Sequence, residues 1–282
     1  MTDYYRPAGT TGPDRVTITP ATAGWTYSGL TVLDLPPGKP RELSTGEAET
    51  LVLPLTGGCK VTVDGTTFDL TGRPNVFASP TDFAYLPRES HAVLTSMSGA
   101  TVALPSAVCT KRLPPRYAPA ANVPVELRGA GSCSRQVNNF CTPDAFEADK
   151  LIACEVLTPG GNWSSYPPHK HDEVGPSECE LEEIYYFQIA RDGIGYQRVY
   201  GTPDRPIEVL AEVHTDDVVL IPHGWHGPSM AVPGYDMYYL NVMAGPGEER
   251  SWQISDDPAH TWIRQTWEQE DLDPRLPFKA EQ

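Results

Sequence analysis

The chain alternates short apolar runs with polar and turn-forming residues along most of its length. Such runs are typical of β-strands when glycine, proline or aspartate bounds them. Gly57-Gly58 and Asp64-Gly65 predict turns between strands. Helix signals are few, and only residues 258–270 predict a short C-terminal helix or turn. The predicted strands are Thr50–Leu55, Lys60–Val63, Ala84–Leu86, Ala92–Thr95, Thr101–Ala103, Leu151–Val156, Ile184–Ile189, Gly195–Val199, Val218–Ile221 and Met237–Val242. We therefore predict an all-β protein.

Composition narrows the range of partners. The 282 residues contain 37 Asp and Glu against 21 Lys and Arg, which gives a formal net charge of −16. Such a surface repels nucleic-acid phosphates and anionic membranes, so we expect neither as a partner. A small anionic substrate is compatible with this charge, because it responds mainly to the nearest cations.

Cysteine usage and the N-terminal residues bear on the compartment. The six cysteines form no Cys-x-x-Cys pair, a distribution that fits reduced thiols in a chain of this length. The N-terminal residues carry charges and prolines instead of an apolar signal-peptide core. No segment approaches the roughly 20 apolar residues of a membrane span. We expect a soluble, cytoplasmic protein.

The region from Asn162 to His226 carries the candidate chemistry. Side chains alternate faces in an extended segment, so His169 and His171 point the same way. A carboxylate at Glu183 and a third imidazole at His226 lie on later strand-like runs. Three imidazoles and one carboxylate leave coordination positions open for water or substrate, as a catalytic metal requires. We predict one divalent ion held by these four side chains.

Two of these predicted ligands have a competing neighbour. Glu182 and Glu183 point to opposite faces of one strand, so only one of them can be a ligand. Glu183 is preferred because it shares a face with Tyr185, and Glu182 is the alternative. His223 and His226 lie in the same Pro-Gly turn, and His226 is preferred because the first half of the chain repeats its position.

The two halves of the chain share a sequence pattern. Asp82–His91 resembles Asp217–His226, with the same step from proline to histidine. Glu49–Leu53 likewise resembles Glu183–Phe187. An internal duplication explains both matches. No His-x-His pair precedes Glu49, so the first copy lacks two of the four ligands.

This pattern predicts two domains with one working site. The first is a degenerate N-terminal barrel at residues 1–115. Residues 116–124, which lack periodicity, predict a linker. The second is a metal-binding C-terminal barrel with a tail, at residues 125–282.

The His-x-His pair, the following glutamate and the late histidine resemble the metal-binding motifs of cupins. The resemblance is most specific to the 5-deoxy-glucuronate isomerases of bacterial myo-inositol catabolism, within the bicupin uronate isomerase family. It covers nearly the whole chain. The matching segments are Arg128–Gly131, Ser134–Val137, Asn162–Asp172, Leu181–Phe187, Pro233–Gly245 and Asp256–His260.

The resemblance implies a fold and an activity. The fold is a bicupin, two tandem antiparallel β-barrels of the jelly-roll type. The activity is an aldose–ketose isomerisation of 5-deoxy-D-glucuronate, a small anionic sugar acid, to 5-dehydro-2-deoxy-D-gluconate. One divalent ion per chain is implied, zinc in the first instance, with Mn, Fe, Ni and Co as alternatives. The family also suggests a homo-oligomer, a dimer or larger.

An isomerase of this kind needs a base and a cation. The base moves a proton from C2 to C1 of the sugar, and the cation binds the substrate carboxylate. A tyrosine that faces the metal can donate a hydrogen bond to a sugar hydroxyl. The candidate bases and donors are Tyr185, Glu182, Glu178 and Tyr239, and the candidate cations are Arg135, which is preferred, and Lys170.

Two other functions use the same ligand set. One is an iron-dependent dioxygenase, and the other is a cupin that binds a sugar or a metal without turnover. An oxygenase loses activity without dioxygen, and a binding protein gives no product. The long motif matches favour the isomerase.

Overall fold

The computed structural model describes residues 4–279 of the chain. Strands dominate it, which confirms the all-β prediction. Glycine, proline and aspartate end most apolar runs early, so nearly all strands are short. The strands are β1 (Tyr5–Arg6), β2 (Val16–Ile18), β3 (Ser28–Leu35), β4 (Arg41–Ser44), β5 (Ala48–Val63), β6 (Thr66–Arg73), β7 (Phe83–Leu86), β8 (His91–Thr95), β9 (Ala100–Val108), β10 (Arg116–Ala118), β11 (Val125–Arg128), β12 (Arg135–Asn138), β13 (Ile152–Thr158), β14 (Trp163–Ser164), β15 (His169–Lys170), β16 (Glu182–Ile189), β17 (Gly195–Tyr200), β18 (Glu208–Val213), β19 (Val218–Ile221), β20 (Trp225–Ala231), β21 (Met237–Ala244) and β22 (Ser255–Asp256).

Helical structure is limited to short segments. The α-helices are α1 (Pro20–Ala23) and α2 (Ile263–Thr266), and 3-10 turns occur at Ala120–Asn122, Gly131–Cys133, Ala190–Asp192 and Trp267–Gln269. α2 and the turn that follows it lie within residues 258–270, where a short helix was predicted. Among residues 4–279, no helix combines the length and the apolar content needed to cross a bilayer.

The strands form two barrels, one from each half of the chain. In the first half, a sheet of order β10-β7-β5-β9-β3-β2 continues through β5 into β6, β8 and β4. In the second half, β19-β16-β21-β13-β12-β11 faces β18-β17-β20-β15-β22, with β14 paired to β20. The neighbouring strands are antiparallel. A separate apolar core fills each barrel.

β5 differs from the prediction, because the turn predicted at Gly57-Gly58 is wrong. The strand runs unbroken through both glycines and pairs first with β7 and β9, then with β6 and β8. Gly57 has a φ of +70°, and a Cβ there would lie 2.5 Å from the carbonyl oxygen of Gly99. The register with β6 shifts between Gly57 and Cys59. The glycines therefore form a bulge that bends one strand between two sheets instead of reversing the chain.

A third core joins the two barrels. Successive residues of β16 alternate faces, so Tyr185 and Phe187 point into the C-terminal barrel while Ile184 and Tyr186 pack against the first half. Residues of β3, β5, β7 and β9 complete this shared core. The strand that carries Glu183 is therefore also part of the interface between the barrels.

The terminal segments and the connection also contact the barrels. β1 belongs to the first half of the sequence but pairs with β19 of the second. Residues 116–124 contain β10, which pairs with β7. The C-terminal tail packs on the second barrel, where the Phe278 amide donates a hydrogen bond to Gln136 Oε1 (2.8 Å). The division at residues 115 and 125 stays a prediction.

Candidate metal centre

The predicted ligands come together inside the C-terminal barrel, from β15 and the residue after it, from β20 of the same sheet, and from β16 of the facing sheet. His171, Glu183 and His226 are all buried, and one ligand atom from each lies within 4.8 Å of the other two. His169 pairs with His226 in register across β15 and β20, and their ring centroids are 4.4 Å apart. Three of the four predicted ligands thus form a group that can hold a metal ion, with His169 beside them.

The three imidazoles are oriented by backbone carbonyls. Nδ1 of His171 lies 3.2 Å from the carbonyl oxygen of Leu181, and Nδ1 of His226 lies 3.2 Å from that of Gly224. Nδ1 of His169 makes a longer contact of 3.4 Å with a proline carbonyl. Protonated Nδ1 atoms donate these bonds, which leaves the Nε2 lone pairs as ligands.

Glu183 is held in place by both of its oxygens. Asn241 Nδ2 donates a hydrogen bond to Oε1 at 2.7 Å, while Oε2 lies 3.0 Å from His171 Nε2 and 3.1 Å from His226 Nε2. Cys154 in turn donates to Asn241 Oδ1 at 3.8 Å. This second layer fixes the carboxylate with one oxygen turned toward the imidazoles.

Two properties of these four side chains suit a divalent ion: an unsatisfied ligand atom and the protonation states of the side chains. Nε2 of His226 is buried and, although Glu183 Oε2 lies 3.1 Å away, it makes no well-aligned hydrogen bond with a described residue, which is costly for a polar atom unless another group binds it. Burial and the two neighbouring imidazoles lower the pKa of His169 well below its usual value, so that ring is neutral and able to ligate. Burial opposes ionisation of Glu183, but His226 and His171 outweigh it and lower its pKa to about 2. Against the effect of burial, Glu183 raises the pKa of His171, so a cation that binds there takes the place of a proton.

The alternative ligands lie elsewhere. Glu182 points to the opposite face of β16, where its carboxylate accepts hydrogen bonds from backbone amides of the first half. His223 is partly exposed and is not a member of the His171 group. Gly224 has a φ of +91°, and this conformation places the turn so that His226 enters the barrel.

Lys170 and Glu178 contact each other and do not belong to the cluster of proposed ligands, which consists of His169, His171, Glu183 and His226. The Lys170 ammonium donates to Glu178 Oε1 (2.8 Å) and to Asp172 Oδ1 (2.6 Å), and it lies over the ring of Trp225. Glu178 also accepts from the Asp172 amide at 2.9 Å. These bonds fix the loop after β15 on the face opposite to the histidines.

Tyr185 and Tyr239 lie beside the cluster and share one hydroxyl partner. Their rings stack with centroids 4.8 Å apart, and Ser165 Oγ lies 2.8 Å from the Tyr185 hydroxyl and 3.1 Å from the Tyr239 hydroxyl. The Tyr185 ring is 6.0 Å from that of His226. Burial, together with the charge of Glu183, raises the pKa of Tyr185 well above 10, and burial also raises that of Tyr239. Both hydroxyls are therefore protonated at neutral pH.

Arg135 is a buried guanidinium that lies near this cluster. Only 5 % of the residue is exposed, and its charge contributes to the lowered pKa of His169. Nη1 donates to the carbonyl oxygen of Cys133 at 3.0 Å, and no carboxylate among residues 4–279 forms a salt bridge with Arg135. Burial lowers its pKa to about 10, so it keeps its charge at neutral pH. A Cβ at Gly129 would lie 2.7 Å from Nη1, so glycine makes room for the side chain.

Further residues around Arg135 were not predicted from the sequence. The guanidinium carbons of Arg135 and Arg264 lie 5.3 and 5.2 Å from the Trp267 ring centroid, and Arg128 lies over Trp252. The Trp267 indole also contacts the Cys133 thiol, while the Trp252 indole nitrogen is buried without a hydrogen-bond partner among the described residues. Both tryptophans belong to the C-terminal segment, where no sequence pattern indicates a contact with the site. A buried unpaired donor beside a cation is suited to an oxygen-rich anionic ligand.

The first half has a corresponding set of positions without the ligands. Ser44 pairs with His91 as His169 pairs with His226, and Thr50 pairs with Leu86 as Glu183 pairs with Ile221. Ser44, Thr50 and the exposed His91 thus occupy the places of His169, Glu183 and His226. The described part of the chain has no second group of three candidate metal ligands.

Two curated relatives of this chain have the same enzyme name. The chain is 40% identical over 255 residues to the 5-deoxy-glucuronate isomerase of Geobacillus thermodenitrificans, covering 89% of this chain and 91% of that one. It is 40% identical over 250 residues to the 5-deoxy-glucuronate isomerase of Bacillus subtilis, covering 87% and 91%. The predicted resemblance is confirmed.

Solved structures agree on the fold. An IolB-like protein from Salmonella typhimurium superimposes with a TM-score of 0.86 at 35% identity, covering 93% of this chain and 99% of that one. The oxalate decarboxylase of Lactobacillus farciminis gives a TM-score of 0.65 at 13% identity, covering 91% and 89%, and this likeness concerns the fold alone. The bicupin prediction is confirmed. The model of the KduI/IolB family matches residues 4–263, and this chain belongs to that family.

Proposed function

We propose that this protein is a metal-dependent aldose–ketose isomerase that converts 5-deoxy-D-glucuronate to 5-dehydro-2-deoxy-D-gluconate in myo-inositol catabolism. One observation carries the proposal: a His–Glu–His group suited to a divalent ion lies near a buried arginine for which the described residues supply no carboxylate partner. That combination suits a sugar that bears both a carbonyl and a carboxylate. The relatives that carry this activity in their names cover most of the chain.

The metal in this proposal is one divalent ion per chain, held by His169, His171, Glu183 and His226. Neutral imidazole nitrogens with one carboxylate oxygen are donors that zinc accepts, and Mn, Fe, Ni and Co bind similar sets. When bound, the ion supplies a Lewis acid that polarises the sugar carbonyl and its neighbouring hydroxyl.

Arg135 is the proposed clamp for the substrate carboxylate. Its charge is held in a buried setting without an ion-pair partner, where a carboxylate gains strong charge-assisted hydrogen bonds. The indole donor of Trp252, unpaired among the described residues, offers a further bond to a sugar oxygen. Lys170 is already paired with Asp172 and Glu178, so it is the weaker candidate.

Tyr185 is the proposed proton carrier for the sugar oxygens. Of the four candidate bases and donors, Tyr185 and Tyr239 lie beside the cluster, whereas Glu178 and Glu182 are bonded elsewhere, and the Tyr185 ring contacts that of His226. Its raised pKa makes the neutral hydroxyl the resting form, which donates a hydrogen bond to O1 or O2 and can pass a proton between them. Ser165 connects this hydroxyl to that of Tyr239 and orients both.

The test is incubation of the protein with 5-deoxy-D-glucuronate in deuterated water without dioxygen, followed by proton NMR. We expect the ketose to form, with deuterium at C1 to the extent that the base exchanges with solvent. Conversion that needs dioxygen would favour an oxygenase. Saturable binding of the sugar without conversion would favour a binding protein, and either outcome would contradict the proposal.

A further inference from the structure

Glu182, the residue before the proposed ligand Glu183, joins the metal-binding strand to the N-terminal barrel. Its carboxylate accepts hydrogen bonds from three consecutive backbone amides, those of Thr26 (2.7 Å), Tyr27 (2.8 Å) and Ser28 (2.9 Å). A carboxylate that accepts several amide bonds forms strong, charge-assisted contacts. This one spans the interface between the two halves.

Glu49 makes the corresponding bond in the opposite direction. From the first half, its carboxylate accepts hydrogen bonds from the amides of Asp149 (2.9 Å), Lys150 (2.6 Å) and Leu151 (2.8 Å), all in the second half. Each glutamate therefore binds three consecutive backbone amides at the beginning of a strand of the other half. That strand is β3 for Glu182 and β13 for Glu49.

The strand register makes the two glutamates equivalent. Glu49 pairs with Ala107 on β9, and Glu182 pairs with Ala244 on β21, at matching places in the two sheets. The sequence comparison had matched Glu49 with Glu183 instead. In the structure, Thr50 occupies the place of Glu183. A proposed metal ligand therefore follows Glu182 in the second half, whereas a threonine follows Glu49 in the first half.

Leu181 and the first two residues of β16 contact the metal centre on one side and the interface between the barrels on the other. The carbonyl oxygen of Leu181 receives the contact from His171 Nδ1, and the Leu181 amide donates to the His171 carbonyl oxygen at 2.9 Å. Glu182 binds the N-terminal barrel, and Glu183 faces the imidazoles. Because adjacent Cα atoms are only about 3.8 Å apart, a shift at Glu182 moves both neighbours.

We propose that Glu182 is a positioning residue for the metal centre, and that through it the ligand-free N-terminal barrel sets the geometry of Glu183 and His171. The inference rests on the proposed function for the metal that these ligands hold. The first barrel thus has a role in the site although it lacks the ligands itself. Glu49 makes the same kind of bond, but it lies beside Thr50 and carries no such role.

The experiment measures binding of Zn²⁺ alone and of Co²⁺ alone by metal-stripped wild type, Glu182→Gln and Glu49→Gln. Glutamine keeps the size of the side chain but removes the charge and one acceptor, so each variant weakens the amide bonds at its side of the interface, and Glu49→Gln also loses the bond that its carboxylate accepts from the Tyr85 hydroxyl (2.7 Å). Melting temperatures of the metal-free proteins report that loss. The visible spectrum of bound Co²⁺ reports coordination geometry, which a purely structural role leaves unchanged.

We expect Glu182→Gln to bind Zn²⁺ at least about tenfold more weakly and to alter the Co²⁺ spectrum, as changes next to ligands do. Glu49→Gln should lose stability but keep the affinity and spectrum of the wild type. Glu182→Asp, which retains the charge, should recover part of the affinity and replaces the glutamine variant if that one does not fold.

Wild-type affinity in Glu182→Gln, or equal weakening in both glutamine variants, would overturn the positioning role. Sugar conversion by the wild type, measured in parallel, keeps this result separate from the proposed function. A wild type that binds Zn²⁺ without forming the ketose would end the isomerase proposal alone. A wild type that binds neither ion would end both.

Discussion

We expect replacement of His171 with alanine to remove most of the proposed divalent ion from the protein, and replacement of His91 to leave it bound. His171 is 2 % exposed, and its Nε2 lies 3.0 Å from the Glu183 carboxylate. Changes to residues that merely orient a ligand cost about 10- to 100-fold in metal affinity, so loss of a ligand should cost more than about 100-fold. Nothing in an alanine side chain can replace the lost donor.

His91 is the matched control because the fold places it at the position of His226 in the other barrel. It is exposed, and Ser44 and Thr50 occupy the neighbouring ligand positions. Metal content per chain, measured by mass spectrometry after dialysis, distinguishes the two variants. Equal metal loss from both would mean that the working site was assigned to the wrong half.

Replacing Arg135 with alanine should weaken turnover of the uronate far more than that of a neutral aldose. If Arg135 is the carboxylate clamp, the substitution leaves the bound substrate carboxylate without its cation. Truncating one partner of a buried charge pair costs about 2–5 kcal/mol, which corresponds to a fall in kcat/KM of roughly 30-fold to several thousand-fold. The neutral sugar makes no such bond, so its kcat/KM should change little.

The control for this prediction is Arg198→Ala. Arg198 is exposed and lies over the ring of Tyr200, so its removal should leave kcat/KM for both sugars close to the wild-type values. Steady-state assays of each variant with both sugars provide the measurement. If Arg135→Ala treats the two sugars as the wild type does, Arg135 is structural and the carboxylate is bound elsewhere.

Local periodicity was sufficient to predict which candidate side chains share a face. The two-residue spacing of His169 and His171 places both imidazoles on one face, and the same alternation separates Glu183 from Glu182. The match between Pro87–His91 and Pro222–His226 indicated which histidine enters the barrel. These inferences succeed because side-chain direction in an extended strand depends only on neighbouring residues.

Contacts between distant segments could not be predicted in this way. Asn241 and Ser165 resemble ordinary strand and loop residues, and their roles depend on strands that meet only in the folded barrel. Gly57-Gly58 has the composition of a turn when only neighbouring residues are considered. In the folded barrel the strand that contains it pairs with four other strands, and the two glycines form a bulge. Glu182 was a candidate for the metal or for catalysis because the sequence does not reveal a second barrel packed against its face.

The most direct test of the central claim is a metal titration of sugar conversion. Protein stripped of metal with a chelator is given increasing amounts of Zn²⁺ without dioxygen, and formation of the ketose from 5-deoxy-D-glucuronate is followed by NMR. We predict that the stripped protein is inactive and that activity rises linearly to a break at about one ion per chain, since residues 4–279 contain one group of this kind. Full activity in the stripped protein would contradict the account.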